Sequence, residues 1–222
     1  KEYAHQTGDV RRGVGMSLFS YKTGVWPISL EIAGARLSLN QDGSVQLQVG
    51  ATEIGQGADT VFSQMAAETL HMDISRVHIV TQQDTDVTPF DTGAYASRQS
   101  FVTGTAVKEC AQQLKQKILE YARTLVPGNV DRLELEDGYI LADGKPVISL
   151  ENLAMESYYS LSNSSVLTAE VSRQVKKNTV ASGCCFAEVE VDMKLGKIKV
   201  LDIVNVHDSG ILLNPQLAAM QV

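Results

Sequence analysis

Cysteine and positive charge are scarce in this chain, and each shortage excludes something. Three cysteines in 222 residues, two of them adjacent at Cys184 and Cys185, do not make a disulfide framework. No Cys/His spacing matches a zinc site or an iron–sulfur cluster, and His5, His71, His78 and His207 are scattered. The formal charge of −7 excludes nucleic-acid binding through a basic patch. The one basic cluster, Arg173, Lys176 and Lys177, is short and reads as a solvated face. No apolar run approaches the ~20 residues of a membrane span, and no secretory signal opens the chain. Reduced thiols without a membrane segment lead to the expectation of a cytoplasmic protein. There is no P-loop, no GxGxxG fingerprint after a strand, and no Ser/His/Asp or Cys/His set.

What is present is patterned hydrophobicity punctuated by small residues. Ala35–Leu39 and Ser44–Val49 alternate apolar and polar around Asn40–Gln41–Asp42–Gly43, which predicts a hairpin. Val61, Phe62, Met65, Ala66 and Leu70 fall at helical spacing, and Val77–Thr81 returns as a strand. A second, longer stripe runs through Val102, Ala106, Cys110, Leu114, Ile118, Tyr121 and Leu125, ended by Pro127–Gly128–Asn129. Cys110 on this stripe reads as a small core hydrophobe. Tight hairpins are predicted at Asp137–Gly138 and Asp143–Gly144, a short helix at Glu151–Tyr159, and a long hairpin from Cys184–Asp192 to Lys197–Val206. The polar stretch 160–180 reads as a surface excursion. The expected fold class is α+β, mixed sheets with packed helices, in sub-lobes of roughly 1–128 and 129–222.

Two small-residue loops, each running into a helix, stand out: GATEIGQGADT (Gly50 to Thr60) and DTGAYASRQSFVTG (Asp91 to Gly104). Glycine lets backbone approach a ligand closely, and a helix start leaves N–H groups unpaired. Together they predict a cradle for a phosphate- or oxo-bearing group. Gln56, between Gly55 and Gly57, can donate and accept at once and so pair with a heterocycle edge. Glu53 is open to two readings, a general base or a structural acid. Arg98 adds a cation, for which an ion pair with Asp91 is the plainer role. Asp84, Asp86 and Asp91 lack the calcium-loop pattern and read as turn-forming carboxylates. Loops that cradle a group, with no nucleophile of their own, point to a site where a cofactor does the chemistry.

The wording of these loops resembles the molybdenum-cofactor-binding subunit of the molybdenum hydroxylases, the family of xanthine dehydrogenases and aldehyde oxidoreductases. The resemblance rests on GATEIGQGADTVFSQMAAETL, on DTGAYASRQSFVTGTAV and on the tail VNVHDSGILLNPQLAAMQV, in the family's order. The wording is most similar to bacterial xanthine dehydrogenase molybdenum subunits. The resemblance implies that Gly55, Gln56 and Gly57 form the loop whose glutamine hydrogen-bonds the pterin. It implies that Ala96 places its backbone beside the molybdenum and the substrate. Tyr95, Ser97, Arg98, Gln99 and Ser100 then supply amides and hydroxyls that hold the cofactor, and Gln221 is the glutamine near the metal. Trp26, or its neighbour Val25, falls where relatives place an aromatic wall of the substrate pocket.

The implied activity is hydroxylation of purines (xanthine, hypoxanthine) with oxygen from water, with electrons passing through iron–sulfur clusters and FAD to NAD. The implied cofactor is molybdenum–molybdopterin, with its cytosine-dinucleotide form left open. Iron–sulfur and FAD domains or subunits are the implied partners, in an oligomeric enzyme. Alternatives are an aldehyde, another N-heterocycle or an aromatic acyl-CoA as substrate, or a non-catalytic interaction domain. The chain lacks an initiator Met and stops at Gln221–Val222, so it is expected to be a fragment. The catalytic glutamate is expected beyond Val222, leaving no catalytic residue within the chain. The isolated fragment is expected to fold, but neither to oxidise purines nor to hold cofactor tightly.

Overall fold

A computed structural model describes residues 3–128 and 130–222. In chain order the elements are β1 (Val10–Thr23), β2 (Ile32–Leu39), β3 (Val45–Val49), α1 (Ala58–Leu70), β4 (Val77–Ile79), α2 (Gln99–Leu125), β5 (Leu133–Glu136), β6 (Tyr139–Ala142), β7 (Lys145–Ser149), α3 (Leu150–Tyr159), β8 (Thr168–Gln174), β9 (Thr179–Asp192), β10 (Lys197–Asp208) and α4 (Pro215–Ala219). Helices and mixed sheets share the chain, as the α+β expectation requires. The division into units is different from the expected one. One unit runs up to Thr23 and resumes over Asn178–Val222; the other is Gly24–Lys177. A cut at 128/129 falls inside the second unit, because β8 pairs with β2 across the intervening sequence. The stop signal Pro127–Gly128 follows one residue after the end of α2, while Asn129 lies outside the described residues.

The Gly24–Lys177 unit holds the core. Its main sheet has the order β4-β3-β2-β8, with β3 and β4 parallel and joined through α1. The Asn40–Gly43 turn joins β2 to β3, and Gly43 takes the positive φ that the turn demands. Leu37, Leu39 and Leu47 from the sheet meet Phe62 and Leu70 of α1 and Leu114 and Ile118 of α2, all fully buried. Gly104 lets α2 lie close to α1: a Cβ there would come within 2.6 Å of the Met65 sulfur. Cys110 is buried, its thiol donating to the Ala169 carbonyl at 3.2 Å. A meander β5-β6-β7 completes the unit, with Asp137–Gly138 and Asp143–Gly144 both at positive φ in its tight turns. The short helix begins one residue early at Leu150, capped by Ser149, whose hydroxyl accepts the Asn152 N–H at 3.1 Å.

Residues 160–180 are not simply a surface excursion. Thr168–Gln174 forms β8 at the edge of the main sheet, with Leu167, Ala169 and Val171 buried. The hydroxyl- and amide-rich composition conceals a period-2 pattern that faces the core. The Arg173 side chain of the basic cluster is exposed and pairs with Glu109 at 3.5 Å.

The other unit is a sheet of order β1-β9-β10, antiparallel throughout, with a bulge between Val200 and Asp202. Register puts Met16, Phe186 and Val204 on one face, and Phe19, Val189 and Ile203 on the other. Antiparallel sheets usually present one apolar face. Here both are apolar, and Leu18, Ile198 and Ile203 stand exposed.

Candidate cofactor site

Gly50 is where the two loops meet. It follows β3 directly, and a Cβ on it would lie 2.1 Å from the Pro89 carbonyl oxygen and 2.8 Å from the Asp91 nitrogen. The base of the second loop can therefore cross the start of the first only because residue 50 has no side chain. An isolated bridge between Ala33 and Asp91 fixes the same segment to β2.

Side-chain amides then tie the loops together. The Gln56 amide donates to the Thr52 carbonyl at 3.0 Å and to Gln99 Oε1, while its own oxygen accepts from Ile54 N–H at 2.7 Å. Gln99, the first residue of α2, donates to the same Thr52 carbonyl at 3.1 Å. Both donors of Gln56 are thus engaged inside the protein, and one acceptor lone pair is left. A Cβ added at Gly55 would meet open space, with φ at +98°.

Glu53 caps α1. The N-cap residue Gly57 has no side chain, and the Glu53 carboxylate supplies what is missing. It accepts N–H bonds from Gly55 at 2.7 Å, Gly57 at 3.0 Å and Asp59 at 3.1 Å. Burial pushes the Glu53 carboxyl up, but the surrounding N–H donors outweigh it and hold its pKa below the ordinary glutamate value. A carboxylate so stabilised is a weak base, and the structural reading of Glu53 is the one the geometry supports. Asp59, beside it, moves the other way: burial, then the Glu53 charge, raises its pKa.

In the second loop, Ala96 and Ser97 both have positive φ, 49° and 53°, ahead of right-handed Arg98. The Arg98 N–H closes this turn on the Tyr95 carbonyl at 3.1 Å, and left-handed next to right-handed backbone is the pattern from which anion-accepting nests are made. Arg98 offers no side-chain cap to α2, so the first N–H groups of the helix add to this donor set. Tyr95, Ser97 and Ser100 are exposed, whereas Gln99 is buried. Thr92 Oγ1 is closed off from solvent without a hydrogen-bond partner. Donor-rich backbone, open space above Gly55 and an orphaned hydroxyl fit a large group rich in oxygen acceptors.

The Arg98 side chain is elsewhere. It is fully buried and pairs with Glu31 and Asp91, each at 2.5 Å. The expected ion pair with Asp91 is present; Glu31 was not foreseen. Glu31 is the single acid in the apolar stretch ISLEIAG, and that isolation is the signal that could have revealed it. Asp84 and Asp91 form the expected turns, accepting N–H bonds from Asp86 at 3.0 Å and Gly93 at 2.8 Å. Among the described residues no cluster of metal-ligating side chains occurs.

Trp26 lies in a turn fastened to this loop. Gly24 N–H donates to the Ala96 carbonyl at 2.8 Å, and Lys176 stands 5.9 Å from the Trp26 ring centre. Gln221 belongs to the other unit. It follows α4, whose N-cap Asn214 accepts from Leu217 N–H at 3.1 Å, and it is exposed.

Comparison with known proteins places the chain in a family. The model of the molybdopterin cofactor-binding domain matches residues 1–222. The chain belongs to that family. It is 48% identical over its whole length to the xanthine dehydrogenase molybdenum-binding subunit of Escherichia coli O157:H7, covering 30% of that protein. It is 30% identical to an Escherichia coli K12 protein named "Probable hypoxanthine oxidase", covering 98% of this chain and 22% of that one. The fold matches quinoline 2-oxidoreductase from Pseudomonas putida 86 with a TM-score of 0.82 at 23% identity, over 96% of this chain and 29% of that one. The chain therefore spans less than a third of the length of these relatives.

Proposed function

We propose that the chain is the molybdopterin-holding part of an oxidoreductase that hydroxylates purines, xanthine and hypoxanthine, with oxygen from water. The observation that carries this reading is the pair of loops locked through Gln56, Thr52 and Gln99, with an uncapped α2 start and a left-handed Ala96–Ser97 backbone between them. Two relatives named for xanthine and hypoxanthine favour purines over aldehydes.

When bound, a molybdenum–pterin group supplies the redox centre at which a ring carbon is hydroxylated. This chain's residues bind and orient. Gln56 offers its remaining acceptor lone pair to a pterin N–H, and Gly55 leaves room for the ring. The N–H groups of Ser97, Gln99 and Ser100 take the oxygen-rich end, helped by the Ser97 and Ser100 hydroxyls and by Tyr95. Ala96 presents a small side chain and its backbone on the metal side, with Trp26 as a nearby aromatic wall. Gln221 is a further candidate contact for the cofactor.

Electrons leave through iron–sulfur and FAD partners to NAD. The exposed apolar faces of the β1-β9-β10 sheet support further protein layers in the assembled enzyme. The test is to purify the full-length polypeptide with its partner subunits and to assay xanthine, hypoxanthine and an aldehyde, with NAD and with an artificial dye. Purine turnover with NAD supports the reading; turnover of the aldehyde alone overturns the purine assignment.

A further inference from the structure

Arg98 is the bulkiest side chain with no exposure among the described residues, and both its acidic partners are buried with it. Burying ions is costly, and a buried ion pair is often no more stabilising than apolar residues of the same volume. Its presence under the second loop therefore asks for a reason other than stability.

The geometry supplies one. The guanidinium donates through Nε to Glu31 at 2.5 Å and through Nη1 to Asp91 at 2.5 Å and the Gly93 carbonyl at 2.9 Å. Nη2 donates to the Ile32 carbonyl at 2.8 Å. The acids pass the constraint on. Glu31 accepts from Val25 N–H at 2.6 Å; Asp91 accepts from Gly93 N–H and from the Thr103 hydroxyl, each at 2.8 Å. The planar fork thus fixes the Trp26 turn, the glycine side of the second loop and the first turns of α2 at once. Ala96 and Ser97, held at positive φ, lie between these anchors, and Gly24 N–H reaches the Ala96 carbonyl at 2.8 Å.

We propose that Arg98, with Glu31 and Asp91, is a positioning residue: it sets the Ala96–Ser97 backbone and the Trp26 turn against each other, and contacts neither cofactor nor substrate with its side chain. The proposal rests on the cofactor reading above. It places the specificity of the site partly in a buried charge network that no ligand touches.

The test uses the full-length protein carrying Arg98→Lys, and separately the neutral triple Glu31→Gln/Asp91→Asn/Arg98→Met. The triple removes every charge; the new amide oxygens still accept from Val25 and Gly93 N–H, and the amide NH2 at position 91 can donate to the Thr103 hydroxyl oxygen, so thermal stability is expected to stay near wild type. Amide exchange is read in protein from cells unable to make the pterin; molybdenum and pterin content is read in protein from competent cells. Exchange at Gly24 and Ala96–Ser100 is expected to rise about tenfold in the triple variant, with the α1 and β2–β3 amides unchanged. Cofactor content is expected to fall about tenfold, the usual scale for losing a partner that orients a binding group. Arg98→Lys, which keeps the charge but loses the fork, is expected to fall between, and it carries both readouts if the triple does not fold.

Wild-type exchange with wild-type cofactor content in the variants overturns the proposal. So does faster exchange spread evenly through the unit, which marks a purely structural role. If wild-type protein from competent cells carries no molybdenum, the cofactor reading fails instead, and the exchange measurement still decides the role of Arg98.

Discussion

Replacing Glu53 separates a helix cap from a catalytic base, because the two roles predict opposite rankings of the same variants. The carboxylate accepts N–H bonds from Gly55, Gly57 and Asp59 at the start of a helix whose N-cap is glycine. Losing an N-cap side chain costs about 0.5–2 kcal/mol, and a charge at a helix start is worth about 0.3–1 kcal/mol. Glu53 is half-buried, so solvent screens part of the charge contribution. Glu53→Ala is therefore expected to lose about 1–2 kcal/mol, a Tm drop of roughly 2–8 °C in a domain of this size. Glu53→Gln keeps neutral acceptors and is expected to lose less than about 1 kcal/mol. The pH dependence has a fixed sign. The folded pKa of Glu53 lies below its ordinary value of 4.5, so its stabilisation is complete above that value. The gap between wild type and Glu53→Ala should stay constant at neutral pH and close as pH falls below 4.5. Urea titrations at several pH values, with turnover of Glu53→Gln measured alongside, make the test. A base contributes about 100- to 10,000-fold to rate. Loss of turnover on that scale in a stable Glu53→Gln enzyme refutes the cap.

Three further outcomes follow from the geometry. Gly50→Ala should destabilise by about 1–3 kcal/mol in urea, since its Cβ has nowhere to go beside the Pro89 carbonyl; an unchanged midpoint contradicts the close crossing of the loops. Cys110 is buried and its thiol is pushed up to about 11, so native protein at pH 8 should yield only the Cys184 and Cys185 thiols to an aromatic disulfide reagent. Cys110 should react on unfolding, and native labelling at Cys110 counts against the packed α2–β8 contact. Trp26→Ala should raise KM for the purine several-fold while leaving molybdenum content unchanged; an unaltered KM removes Trp26 from the pocket wall.

Much of the fold could be read locally. The β3–α1–β4 unit announced itself by a switch from period 2 to helical spacing, and the Asp–Gly pairs marked the meander turns because those φ values suit them. What escaped the sequence was pairing at a distance. Nothing in Val10–Thr23 says that its partner is Thr179–Asp192, so the division into units was misplaced. β8 escaped because Thr168, Glu170, Ser172 and Gln174, alternating with its buried Ala169 and Val171, look like loop composition. At the site, the loops were legible because glycines and small residues are visible in sequence. The roles of Glu53 and Glu31 were not: each acts through backbone groups or a charge several residues or a whole element away. Arg98 shows the difference most clearly, since its sequence neighbours belong to the cradle while its side chain turns into the core.

The central claim is that these two loops hold a molybdenum–pterin group, and the most direct measurement is molybdenum and released pterin per full-length polypeptide. Wild type and Ala96→Gly, which accepts φ near 49°, should carry the cofactor near stoichiometrically. Ala96→Leu, which fills the space beside the loop, should carry little. Absence of molybdenum from wild type, or a full complement in Ala96→Leu, contradicts the account.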